Sequence, residues 1–155
     1  MTISENSSPK PSPKIPKWVP IVFILASFLG FLEATYLTVE HYLGVIPPCS
    51  VINGCEKVLT SPYAAVGGVP VALAGAIYYV AILLLTLVYL DTGNERLMVA
   101  AARLTPVGFL GSLALVYLQV FVIGALCLYC LVSAGLSAVL FGIGLAVLVR
   151  RRAES

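Results

Sequence analysis

Apolar residues are gathered into four long blocks along the chain, at about 19–43, 69–90, 104–126 and 128–149. Each block reaches the ~20 residues that an α-helix needs to cross about 30 Å of hydrocarbon. Membrane-spanning strands would alternate polar and apolar residues, whereas these blocks are apolar on every face. The pattern predicts an all-α integral membrane protein, a bundle of four transmembrane helices at about 19–42, 70–90, 104–124 and 127–149.

The composition agrees with this membrane class, because 60% of the residues are hydrophobic and only 10% are charged. The first block follows three lysines, as a secretory signal does, but its apolar run is longer than the ~7–15 residues of a signal. We therefore expect it to remain as a membrane anchor. Residues 1–17, rich in Pro, Ser and Lys, predict a disordered tail, and residues 151–155 a short second tail.

The basic residues predict the orientation in the membrane. Of the nine basic residues, only Lys57 lies in the long loop at about 43–69. Three of the other eight precede the first block and three follow the fourth. The remaining two, Arg96 and Arg103, lie between the second and third blocks. Because Lys and Arg stay on the cytoplasmic side, both termini are expected in the cytoplasm of a multi-pass cell membrane protein. The net charge of +2 gives no indication of a nucleic-acid partner.

Two cysteine pairs are then expected at the extracytoplasmic face, where disulfides persist. Cys127 and Cys130 stand three residues apart at the start of the fourth helix, so one helical turn brings their sulfurs together. The positive end of the helix dipole there favours the nucleophilic thiolate. Cys49 and Cys55 lie in the long loop. Four thiols at one face indicate a redox-active centre that relays electrons.

Several structural interpretations compete with this one. The turn at Asn53-Gly54 would let Cys49 and Cys55 close a small stabilising ring, and four thiolates together could bind zinc. His41, the single histidine, ends the first helix and is expected to be an interfacial residue rather than a ligand. The alternative function is a non-catalytic membrane protein that is stapled by two disulfides or holds a metal through its cysteines.

Three motifs resemble the vitamin K epoxide reductase family. The first is the loop cysteine pair together with the run that begins at its second cysteine, Cys55-Glu56-Lys57-Val58-Leu59-Thr60-Ser61. The second is the run that opens the second helix, Gly67-Gly68-Val69-Pro70-Val71-Ala72-Leu73-Ala74-Gly75. The third is Cys127-Leu128-Tyr129-Cys130. The resemblance extends from Trp18 to Arg150. It indicates a prokaryotic homologue without the fused thioredoxin-like domain of many bacterial members.

The resemblance implies an enzyme, an oxidoreductase that acts on thiols with a quinone acceptor and supports disulfide bond formation. Cys130 would be the thiolate that reacts with the quinone, and Cys127 would exchange with the loop. Cys49 would take electrons from a separate thioredoxin-like (DsbA-like) protein, and Cys55 would pass them to Cys127. Ser61 would lie near the active site. The acceptor is expected to be menaquinone or ubiquinone in the membrane lipid, with no metal.

Four further positions bear on the quinone site. Tyr129, inside the CxxC motif, is expected to contact the quinone. Gln119, an amide well inside an apolar block, is either a hydrogen-bond donor to a quinone oxygen or a link between helices. Glu33 is costly in lipid and is expected to face the bundle interior or a polar partner. Ala134 stands where the animal enzymes of the family have a tyrosine, so the resemblance does not carry over their reduction of vitamin K epoxide.

Overall fold

The structure, a computed structural model, describes residues 15–46 and 54–153. Its elements in chain order are α1 (Trp18–Leu43), α2 (Cys55–Leu59), β1 (Ala65–Val66), β2 (Val69–Pro70), α3 (Val71–Thr92), α4 (Glu95–Tyr117), a π-helical segment (Leu118–Ile123) that continues α4, and α5 (Leu128–Ala153). In this part of the chain, four helices are long and apolar enough to cross a membrane. The prediction of a helical membrane bundle with four spans is therefore confirmed.

The bundle core is built where the four long helices meet. α1 packs mainly against α3 and α4 against α5, and contacts of α3 with α4 and of α1 with α5 close the bundle. The largest side chains buried there are Phe23, Tyr79, Ile82, Met98 and Leu140. Many large apolar side chains point outward instead. A water-soluble surface rarely carries so much contiguous apolar area, whereas hydrocarbon accommodates it.

The third long helix begins earlier than the hydropathy pattern indicates. The sequence predicts its start near residue 104 and assigns Arg96 and Arg103 to a connection, but α4 begins at Glu95 and contains both arginines. The Asn94 side chain caps this start by accepting a hydrogen bond from the Arg96 N–H at 3.1 Å. Hydropathy detects the lipid-facing part of a helix, so a polar first turn outside that part is not detected.

The structure describes only part of each of the two predicted tails. Residues 1–14 lie outside the described residues, and the side chain of Ile15 already packs against the bundle core. At the other end, α5 continues through the three arginines as far as Ala153. A salt bridge between Arg151 and Glu95 joins the end of α5 to the start of α4. These two helix ends therefore share one end of the bundle.

The loop between α1 and α3 covers the opposite end. Its described part contains the short helix α2 and an antiparallel hairpin, in which Ala65 pairs with Pro70 and Val66 with Val69. Gly67 and Gly68 make the turn with φ values of 61° and 84°, a left-handed conformation that favours glycine. The hairpin leads directly into α3. This loop places α2 over the start of α5.

Candidate redox site

The Cys127-Leu128-Tyr129-Cys130 motif lies where the chain enters α5. Cys127 immediately precedes the helix and is fully buried, and Cys130 is half-buried in the first turn. The carbonyl oxygen of Cys127 accepts the Leu131 N–H at 3.1 Å, which is the first hydrogen bond of α5. Both sulfurs are free thiols. The pair is thus a reduced dithiol at a helix N-terminus.

The environment of Cys127 favours its thiolate. The side chain of Cys130 hydrogen-bonds to its sulfur, and the backbone N–H groups of Cys130 and Tyr129 point at the same atom. Together they lower the pKa of Cys127 from its ordinary value of 9.0 to about 6, although burial acts in the opposite direction. At neutral pH the Cys127 sulfur is therefore the nucleophile of the reduced pair.

Gln119 fixes the segment that carries Cys127. This residue belongs to the π-helical segment, and its buried side chain accepts the Cys127 N–H through Oε1 at 2.9 Å. The same amide hydrogen-bonds with the Cys130 side chain. Its backbone oxygen accepts the N–H groups of Gly124 and Ala125 as the helix ends. Gln119 thus links the end of α4 to the dithiol, and it also lines the cavity described below, so both predicted roles remain predictions.

Helix α2 brings the loop cysteine to the dithiol. Cys55 and Cys127, 72 positions apart along the chain, are buried in one cluster with Val58. Close backbone approach makes this possible, since a Cβ on Gly54 would lie 2.4 Å from the carbonyl oxygen of Leu126. Cys55 is engaged in a disulfide. Cys49, to which the sequence assigns the other half of the loop pair, lies outside the described residues.

A cavity of about 120 Å³ extends from the dithiol into the bundle. One water needs roughly 10–15 Å³, so the space is large enough for a small molecule. Its walls come from α1, the loop, α3, the end of α4 and the start of α5. Most of the lining is apolar. The polar or titratable side chains along it are Glu33, His41, Ser61, Tyr63, Ser112, Gln119, Cys130 and Ser133.

Two of the three residues predicted for the quinone site line the cavity, and the third does not. Cys130 and Ser61 line the cavity, and the Ser61 hydroxyl donates to the Val58 carbonyl at 2.7 Å. Tyr129 is not among the described residues that line it. The Tyr129 ring packs against Tyr36 with 5.9 Å between ring centroids. Adjacent residues of a helix point about 100° apart, so Cys130 faces the cavity and Tyr129 faces away from it.

Two serines at the wall of the cavity were not predicted from the sequence. Ser112 and Ser133 line it, and the Tyr79 hydroxyl lies 2.8 Å from the Ser133 carbonyl and 3.0 Å from the Ser133 hydroxyl. Ser133 follows Cys130 by three positions, so it lies on the same helical face. That spacing was the signal that could have identified it. His41, expected at the interface, also lines the cavity.

Among the described residues, no group of three or more His, Cys, Asp or Glu side chains is placed to hold a metal ion. The arrangement around Cys127 matches thiol chemistry instead. A reactive thiolate lies beside a buried disulfide-bonded cysteine, and its partner thiol borders a cavity. Such a site can exchange disulfides on one side and meet a small molecule on the other.

Comparison with known proteins agrees with the motifs. No curated protein matches the chain. The model of the vitamin K epoxide reductase family, in contrast, matches residues 21–145. The matched part contains three of the four long helices in nearly full length, most of the fourth, and all four cysteines. The chain therefore belongs to the vitamin K epoxide reductase family.

Proposed function

We propose that this protein is a membrane thiol:quinone oxidoreductase that reoxidises an extracytoplasmic thioredoxin-like protein and passes its two electrons to a membrane quinone. Its family comprises oxidoreductases that act on disulfides with quinones. One observation carries the proposal. Cys55 lies against Cys127, while Cys130, the other half of the CxxC pair, borders the cavity.

The proposed relay begins at the loop. The dithiol of the partner protein reduces the loop disulfide between Cys49 and Cys55, and the partner leaves as a disulfide. The Cys55 thiolate then attacks the Cys127 sulfur of the oxidised Cys127–Cys130 pair. A mixed disulfide between Cys55 and Cys127 forms, and Cys130 leaves as a thiolate. In this intermediate Cys130 is the sulfur of the pair that remains free to meet the quinone.

Attack of Cys49 on Cys55 resolves the mixed disulfide. The loop disulfide forms again, and Cys127 and Cys130 are left as a dithiol. The structure has the same combination at the described residues, with Cys55 disulfide-bonded and both cysteines of the CxxC pair free. Oxidation of the dithiol by the quinone then forms the Cys127–Cys130 bond. The quinone, menaquinone or ubiquinone, takes up two electrons and two protons and leaves as the hydroquinone.

Both ends of this relay need the positions that the fold provides. A soluble partner cannot enter the hydrocarbon, and a lipid-dissolved quinone cannot leave it, so electrons must cross the interface through exchanging thiols. The loop carries Cys55 and the bundle carries Cys130. Ser61 borders the cavity from the loop side, and we place it next to the quinone head group. Tyr129 supports the dithiol from its other face.

A trapping experiment tests the relay. In Cys130→Ser, the serine can still donate a hydrogen bond to Cys127, but it cannot resolve a disulfide. The Cys127 thiolate should then attack Cys55 and accumulate as the mixed disulfide, which peptide mass mapping after acid quenching detects. The double variant Cys127→Ser/Cys130→Ser is the matched control and should give no such peptide. Absence of the Cys55–Cys127 peptide in Cys130→Ser would favour the non-catalytic alternative, a membrane protein stapled by its disulfides.

A further inference from the structure

Glu33 places a carboxyl group inside the bundle at the cavity wall. It lies on α1, on the same helical face as Leu37 and His41, and all three line the cavity. Both carboxyl oxygens are buried, and neither has a hydrogen-bond partner among the described residues. A buried carboxyl group without a partner is costly, and more so within a membrane. Glu33 is therefore a candidate for a role in the chemistry at this cavity.

The neighbours of Glu33 belong to the redox site. Its carboxyl group interacts electrostatically with Cys127, Cys130 and Tyr79. The Tyr79 hydroxyl already hydrogen-bonds to Ser133, and the Cys130 thiol already hydrogen-bonds to the Cys127 sulfur. Of the described residues along the cavity, His41 is the only one with a basic side chain. None of the described cavity residues therefore carries a permanent positive charge that could neutralise Glu33.

We propose that Glu33 is the proton carrier of the quinone step, an inference that rests on the proposed function. Cys127 is a thiolate at neutral pH, so formation of the Cys127–Cys130 bond releases one proton, from the Cys130 thiol, while reduction of the quinone consumes two. The Glu33 carboxyl group donates its proton to one quinone oxygen and then takes the Cys130 proton. It ends the cycle in the state in which it began. The second proton of the hydroquinone comes from water, which took up the Cys127 proton when the thiolate formed.

The position of Glu33 explains why a carrier is needed. The proton to be moved is that of Cys130, and Cys130 and Glu33 both line the cavity, which gives this proton a route to the quinone inside the bundle. Gln119 offers only an amide group, which does not exchange protons in this range. Glu33 is the carboxyl side chain among the described residues that face the cavity. It can therefore accept and release protons at the cavity wall.

Glu33→Gln tests the proposal, because glutamine keeps the shape and polarity of the side chain but carries no transferable proton. General acid–base groups contribute typically 10²- to 10⁴-fold to a rate. We expect kcat for quinone reduction to fall by about a hundredfold or more with KM nearly unchanged. Glu33→Asp should recover part of the rate. Asp91→Asn, which removes an exposed carboxylate at the other end of α3, is the matched control and should leave turnover unchanged.

Two further readouts separate a proton carrier from a structural residue. Formation of the Cys55–Cys127 disulfide, measured in Glu33→Gln/Cys130→Ser, does not involve the quinone and should proceed at the rate of Cys130→Ser alone. Infrared difference spectra between the oxidised and reduced dithiol, recorded without quinone, should contain a carboxyl band that is lost in Glu33→Gln. If Glu33→Gln slowed formation of the Cys55–Cys127 disulfide as much as it slowed quinone reduction, the proposal would be overturned, because Glu33 would then be needed for the folded structure rather than for proton transfer.

The outcomes also distinguish this inference from the function on which it rests. Absence of quinone reduction by the wild type would contradict the proposed function itself. Turnover in the wild type together with unchanged kcat in Glu33→Gln would contradict only the role of Glu33. An infrared spectrum without any carboxyl band that depends on Glu33 would contradict it as well.

Discussion

At the scale of single residues, Cys127 is surrounded by groups that stabilise negative charge. Three hydrogen bonds reach its sulfur, one from the Cys130 side chain and two from backbone N–H groups at the start of α5. The Gln119 side chain holds the Cys127 backbone in place. The position and the protonation state of Cys127 therefore have separate causes. The Cys130 side chain and the first N–H groups of α5 stabilise the thiolate. The hydrogen bond from the Cys127 N–H to Gln119 fixes the position of the residue.

The first prediction follows from these contacts and concerns the pH dependence of the thiolate. With Cys49 and Cys55 replaced by serine, the reduced protein should gain thiolate ultraviolet absorbance as the pH rises through about 6. A lowered pKa means that Cys127 is ionised above this value and protonated below it. Cys130→Ala removes the largest stabilising contact, so the midpoint should move toward the ordinary 9.0. Cys130→Ser, which retains a donor, should shift it less. An unchanged midpoint in Cys130→Ala would contradict this assignment.

At the scale of secondary-structure elements, the four long helices could be predicted from the sequence because lipid demands long apolar runs. The start of α4 could not, because its first turn is polar. The CxxC motif at the start of α5 was also predictable, since residues three apart share a helical face. In contrast, the approach of Cys55 to Cys127 depends on the fold of a 27-residue loop at about 43–69, and only the family resemblance indicated it.

Side-chain hydrogen bonds that replace missing backbone hydrogen bonds within a helix could not be predicted from the hydropathy pattern either. Pro106 lies inside α4 and has no N–H for the Ala102 carbonyl, but the Thr105 hydroxyl donates to that oxygen at 2.8 Å. The helix therefore continues where a proline would otherwise break it. The π-helical segment that orients Gln119 depends in the same way on contacts beyond its own residues. Its place at the functional site agrees with the usual occurrence of such segments.

The prediction at this scale concerns the contact between α2 and the segment before α5. Gly54→Ala places a Cβ 2.4 Å from the Leu126 carbonyl oxygen, so the two backbones must separate by about an ångström. Alanine adopts the φ of −111° at this position without strain. The effect should therefore be a displaced Cys55, with disulfide exchange slowed by about ten- to a hundredfold. Quenched mass mapping in the Cys130→Ser background measures that rate.

Gly111→Ala is the matched control for this variant. Gly111 lies within α4, and a Cβ there would meet nothing within 4 Å. The added methyl group should leave the exchange rate unchanged and stabilise the helix by up to about 1 kcal/mol. Equal exchange rates in Gly54→Ala and Gly111→Ala would show that the close approach of α2 is not needed for the relay.

At the scale of the whole molecule, the two ends of the bundle differ in chemistry. One end carries the Arg151–Glu95 salt bridge and the arginines that end α5. The other carries α2, the hairpin and the dithiol. The distribution of basic residues predicts that the arginine end faces the cytoplasm. Electrons would then enter from outside and leave into the lipid.

The most direct test of this account is quinone reduction by the purified protein. Wild type and Cys130→Ala are compared in detergent with a reduced thioredoxin-like donor and a menaquinone or ubiquinone analogue, and absorbance follows the quinone. The account predicts continuous turnover by the wild type and none by Cys130→Ala. Equal turnover by the two proteins, or no turnover by the wild type with several donors and quinones, would contradict the relay from the loop through Cys127 and Cys130 to the quinone.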